Sequence, residues 1–113
     1  MFDWKQTIQD INSRLKELQT RTPDTLRGTG LLAGAGAKTN HLGAKTRELI
    51  ALAVAVTTRC DGCIAVHADA AVKLGVSDEE MAEALGVAIY LNAGAAMVYS
   101  THVLDAMQKL KQD

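Results

Sequence analysis

The chain has 113 residues, of which 48% are hydrophobic, 4% aromatic and 22% charged, with a formal charge of −1. That length fits one domain, and the near balance of 12 basic and 13 acidic side chains leaves no field to draw nucleic acid. The apolar residues are mainly alanine, leucine and valine, with a single proline and no alternating run long enough for a strand. The composition therefore predicts an all-α protein.

The N-terminus, MFDWKQTIQDINSRL, is polar and amphipathic and lacks the apolar stretch of a signal peptide. No segment is expected to reach the ~20 apolar residues of a membrane span. The expectation is a cytoplasmic chain with no membrane or nucleic-acid partner. The whole of 1–113 reads as one domain, with an N-terminal helix and turn over 1–25 and the core helices over 44–113.

Trp4, Ile8, Ile11, Leu15 and Leu18 draw one apolar stripe along a helix over residues 3–20, which Pro23 stops. The stripe predicts docking against the bundle or another subunit. Residues 26–43, LRGTGLLAGAGAKTNHLG, hold Gly28, Gly30, Gly34 and Gly36 at spacings that do not match a phosphate-binding loop. A flexible or tightly turned connection is expected there, with at most a short helix around Leu31 and Leu32. From Ala44 the sequence AKTRELIALAVAV predicts a central helix that is apolar on nearly every side and must be covered all round.

Thr57 and Thr58 mark a break, after which a helix is expected from about Cys60 to Leu74, ending at Gly75. Ser77 with Glu80 forms a capping box that opens the next helix. Asn92 and Gly94 are expected to interrupt it, and a last helix carries Met97, Val98, Thr101, Leu104, Met107 and Leu110. The total is about five helices. They present more apolar surface than so small a bundle can cover, so a homo-oligomer is expected.

The stretch TTRCDGCIAVH, residues 57–67, carries the chemistry. With about 100° per residue, Cys60, Cys63 and His67 fall on one helix face. The two sulfurs stand one turn apart, within reach of a bond after a modest adjustment. Cys60 lies near the helix start, where free N–H groups and the dipole stabilise a thiolate. His67 lies four residues past Cys63, at the spacing for side-chain contact, and an imidazole of pKa about 6.5 can take a thiol proton. Glu48, on the preceding helix, would face His67 or the cysteines if the two helices form a hairpin. The alternative is a non-enzymatic helical oligomer with a zinc site, Cys60, Cys63 and His67 being three ligands and Glu48, His41 or His102 the fourth. No cofactor is called for. Asp61 reads as a solvated first-turn residue, and Tyr90 and Tyr99 as packing residues.

Glu48, then Cys60-Asp61-Gly62-Cys63, then His67 resembles the signature of the AhpD-like alkylhydroperoxidases, within the carboxymuconolactone decarboxylase superfamily. The resemblance covers roughly Ala44 to the end. It implies an all-helical subunit that assembles into trimers or hexamers, and a thiol-dependent peroxidase regenerated by an external dithiol or thiol protein. It also implies that Cys63 attacks a hydroperoxide, that Cys60 closes the disulfide, and that Glu48 and His67 relay the proton. Position on the helix favours Cys60 as the nucleophile instead. Full AhpD proteins place a histidine between the cysteines, where this chain has Gly62, and repeat the helical unit in a longer chain. Lactone decarboxylation is the weaker implication, since the decarboxylases of the superfamily usually lack the cysteine pair.

Overall fold

The structure is a computed structural model that describes residues 1–112. Five α-helices follow in order: α1 (Trp4–Arg21), α2 (Pro23–Thr39), α3 (Ala44–Thr58), α4 (Asp61–Lys73) and α5 (Asp78–Leu110). All regular elements among the described residues are helices, as the composition predicts. The helix boundaries differ from the expected ones at three places, the smallest being Thr57 and Thr58, which stay in α3 and leave the reversal to Arg59.

The glycine-bearing segment is not a loop. Pro23 ends α1 and at the same time occupies the first turn of α2, where its missing N–H costs nothing. At the other end Asn40 adopts a left-handed conformation (φ 51°) and closes the helix. Arg47 of α3 then donates from one guanidinium nitrogen to Gly36 O at 3.3 Å and to Asn40 Oδ1 at 2.9 Å. The Arg47 side chain lies so close that a Cβ at position 36 would stand 2.9 Å from its Cδ, which explains a glycine there. Low helix propensity predicted a loop; capping and a contact from another helix override it.

The expected break at Asn92 and Gly94 is also absent, and α5 runs unbroken for 33 residues. The Asn92 amide does not turn back on its own backbone to end the helix. It donates to Ala88 O one turn earlier (2.7 Å) and to Thr57 Oγ1 at the end of α3 (2.8 Å). As one unbroken helix, α5 contains an 18-residue window of mean hydropathy 1.4, long and apolar enough to cross a membrane by length and composition alone. Splitting it at Asn92 concealed this.

The core is a three-helix unit. Helices α3 and α4 pack closely, α5 lies along α3, and α1 lies along α4, while α2 rests chiefly on α1. The buried residues among those described are Leu52, Ala55, Ala65, Ala71 and Ala88, four of them alanine, so the helices approach closely without large side chains between them. The Ser77–Glu80 capping box is present in both directions, at 3.0 and 2.9 Å. Lys45 reaches Glu80 at 3.2 Å and ties the start of α3 to the start of α5. The central helix is not covered all round: Ile50 and Val54 are exposed, as are Met97, Val98, Leu104 and Leu110 in the second half of α5. The radius of gyration is 18.8 Å, against about 13 Å for a compact chain of this length.

Candidate functional site

The site is built on the turn between α3 and α4. Arg59 takes a left-handed conformation (φ 54°) and reverses the chain in one residue. The Cys60 N–H returns to Ala55 O at 3.0 Å, which closes the end of α3. Cys60 is also the residue that opens α4, in extended conformation, with its Sγ accepting the Cys63 N–H at 3.1 Å. One residue therefore finishes one helix through its backbone and begins the next through its side chain. The sulfur position is fixed by backbone geometry on both sides.

Cys60 and Cys63 are joined in a disulfide, with Cα atoms 5.2 Å apart. Cys63 is exposed and Cys60 half-buried, so an external reagent meets Cys63 first. His67 follows Cys63 after one turn, about 6 Å along the helix axis. Its Nδ1–H donates to Glu48 Oε2 at 2.7 Å, a contact between α4 and α3. Glu48 keeps 19% of its side-chain surface exposed and His67 40%, so the pair is sheltered but reachable. With Nδ1 committed to the carboxylate, the neutral ring presents Nε2 as its basic nitrogen. The hairpin condition set for Glu48 is met: the acid near the start of α3 reaches the middle of α4.

The zinc alternative finds no support in the donor geometry. Both sulfurs are bonded to each other, and among the described residues no group of three or more His, Cys, Asp or Glu side chains is placed to hold a metal. His41 is exposed in the α2–α3 connection, and His102 stacks on Tyr99 at 4.5 Å between ring centroids, far along α5. Asp61 is exposed in the first turn of α4. Tyr90 and Tyr99 are both exposed in this chain, not packed within it.

Ile11 is a residue that sequence reasoning did not connect to the site. Its δ-methyl lies against Gly62, between the two cysteines, so close that a Cβ there would stand only 2.6 Å from it. The one available signal was a glycine in the first turn of a helix, where alanine is the better helix former. Trp4 and Ile8 continue the contact down α4 beside Ile64 and Ala65, lining an apolar groove of about 500 Å³. A second apolar recess of about 290 Å³ lies on the other side of Ile64, against Leu52, Met81 and Leu85.

A sequence model described as the carboxymuconolactone decarboxylase family matches residues 23–106. The chain belongs to this family. The match begins at Pro23, so α2 is part of the family unit and the likeness reaches further back than Ala44. Among proteins of similar sequence, an uncharacterized protein of Haemophilus influenzae is 52% identical over 104 residues, 92% of each chain. A shorter match, 36% identical over 66 residues, covers 58% of this chain and 60% of uncharacterized protein 4 in the cox locus of Paracoccus denitrificans. The fold is similar to the apo crystal structure of lpg0406, a carboxymuconolactone decarboxylase family protein from Legionella pneumophila. That likeness has a TM-score of 0.73 and 36% identity, and it covers 94% of this chain and 95% of the other.

Proposed function

We propose that this family member is a thiol-dependent peroxidase of the alkylhydroperoxidase type, working through the Cys60–Cys63 pair with Glu48 and His67 as its proton relay. The observation that carries the reading is the conjunction of a CxxC disulfide at a helix start with a carboxylate–imidazole pair one turn further on. A structural staple would have no use for the second feature.

In the reduced enzyme, Glu48 holds His67 through Nδ1, and Nε2 takes the Cys63 proton. The Cys63 thiolate attacks the outer oxygen of a hydroperoxide. The O–O bond breaks, an S–O bond forms, and the alkoxide leaves as alcohol with the proton that His67 returns. The sulfenic acid on Cys63 then meets the Cys60 thiol, and the disulfide closes with loss of water. An external dithiol or thiol protein reopens it by exchange, first at the exposed Cys63, and carries away the two electrons' worth of oxidation as its own disulfide. The Cys63 N–H directed at the Cys60 sulfur suits Cys60 as the leaving thiolate in that step. The apolar recesses beside Ile64 leave room for the organic part of an alkyl hydroperoxide.

The working protein is a cytoplasmic homo-oligomer, a trimer or hexamer in keeping with the family resemblance. The uncovered apolar faces of α3 and α5 support the assembly. The test is peroxide consumption in the presence of a dithiol, compared between wild type and the Cys63→Ser variant. Activity on a muconolactone in place of a peroxide would instead support the chemistry in the family's name.

A further inference from the structure

We infer that Ile11 is a positioning residue for the cysteine pair: α1 is set against the backbone between the two sulfurs and holds the first turn of α4 in the shape that lets them join. The inference rests on the redox reading of the Cys60–Cys63 pair, and adds to it a residue from an element that bears none of the reacting groups.

Gly62 is the point of contact. It lies in the first turn of α4 at an ordinary helical backbone conformation, so no strain calls for glycine. Helix propensity favours alanine. The space argues the other way: a Cβ on residue 62 would meet Ile11 Cδ1 at 2.6 Å and Cγ1 at 3.6 Å. The place where a side chain between the cysteines would begin is taken by the terminal methyl of Ile11, which would have to turn aside and give up the contact. Ile11 sits where α1 lies along α4, and Trp4 and Ile8 on the same stripe line a groove there with Ile64, Ala65 and Ala68.

The disulfide demands a narrow backbone geometry across residues 60–63, whereas the dithiol does not. A contact that holds this turn in place before the bond forms favours the oxidised state. Removing the contact, or forcing a methyl group into it, shifts the thiol–disulfide equilibrium toward the dithiol.

The experiment moves a single methyl group across the contact. Ile11→Val deletes the δ-methyl, Gly62→Ala adds the clashing methyl, and the double variant does both. Each changes one or two methyl groups, so α1 and α4 remain folded, and thermal melts are recorded beside the redox titration. The equilibrium constant against glutathione is measured for all four proteins by trapping free thiols in glutathione redox buffers. We expect Gly62→Ala to shift that constant about fivefold toward the dithiol, and the double variant to return to within about twofold of wild type. Rescue of the redox constant by the second methyl change is not expected from a residue that only stabilises the fold. A Gly62→Ala constant equal to wild type, or a double variant no closer to wild type than Gly62→Ala alone, would overturn the inference. The readout needs no peroxide, so loss of the peroxidase reading and loss of this one are separate results.

Discussion

The second half of α5 provides the sharpest prediction about assembly. A compact monomer of 12.0 kDa exposes about 6,000 Å² by the size scaling of folded proteins. This chain exposes 9035 Å², an excess of roughly 3,000 Å². Obligate interfaces bury about 2,000–5,000 Å² summed over both partners, so this excess on one chain is enough for more than one contact. Leu104 is 69% exposed in the isolated chain, and burying a leucine is worth about 1.5–3 kcal/mol. Leu104→Glu removes this and places a charge in the contact, so each interface containing it weakens by at least ~10-fold in dissociation constant. Size-exclusion chromatography with light scattering, across a range of micromolar concentrations, reads the result. Wild type should elute as a multiple of 12.0 kDa, and Leu104→Glu should shift toward the single-chain mass as it is diluted. A wild-type particle of one chain, or one soluble only with detergent, would refute the reasoning; the second result would mean that lipid covers α5.

Three further outcomes follow from the local geometry. Glu48→Gln keeps the shape beside His67 but removes the charge from a 2.7 Å hydrogen bond; losing that charge assistance, about 1.5 kcal/mol in a partly exposed site, should slow peroxide turnover roughly tenfold. Undiminished turnover in Glu48→Gln would remove the acid from the relay. Ser77→Ala deletes the hydroxyl that caps α5 and should cost about 1 kcal/mol in denaturant unfolding. The Ser77 backbone N–H, with Lys45 beside it, holds the Glu80 carboxyl below the usual carboxylate range. A lowered folded value stabilises above the unfolded one, and that stability fades as pH falls through the lowered value. The melting difference between wild type and Glu80→Gln should therefore be present at neutral pH and shrink in acid; a constant difference would contradict it.

Much of this architecture is written locally. The stripe of α1, the apolar run of α3, the Gly75 stop after α4 and the Ser77–Glu80 box all act within one or two turns, and each appears where the sequence places it. Gly75 takes a positive φ of 77°, with the Gly75 and Val76 amides returning to Val72 and Ala71, the closure expected of a glycine there. The reach from Glu48 to His67 was legible only on the condition of a hairpin, whose reversal the sequence put at Thr57 and Thr58 and the fold puts at Arg59. What could not be read depends on partners remote in sequence. The cap on α2 comes from Arg47, 11 residues beyond Gly36, and outweighs the low propensity of the glycines. Asn92 stays helical because Thr57, 35 residues earlier, accepts its amide. The count of five helices agrees only because one unrecognised helix offsets one false division. Ile11 and Gly62 are 51 positions apart, and only the folded chain joins them.

The account depends most on Cys63 being a working nucleophile and not half of an inert staple. The direct measurement is steady-state hydroperoxide consumption by the Cys63→Ser variant with excess dithiol, beside wild type and with folding checked by circular dichroism. The account predicts wild-type turnover and only the uncatalysed background in the variant. Equal consumption by both proteins would contradict it.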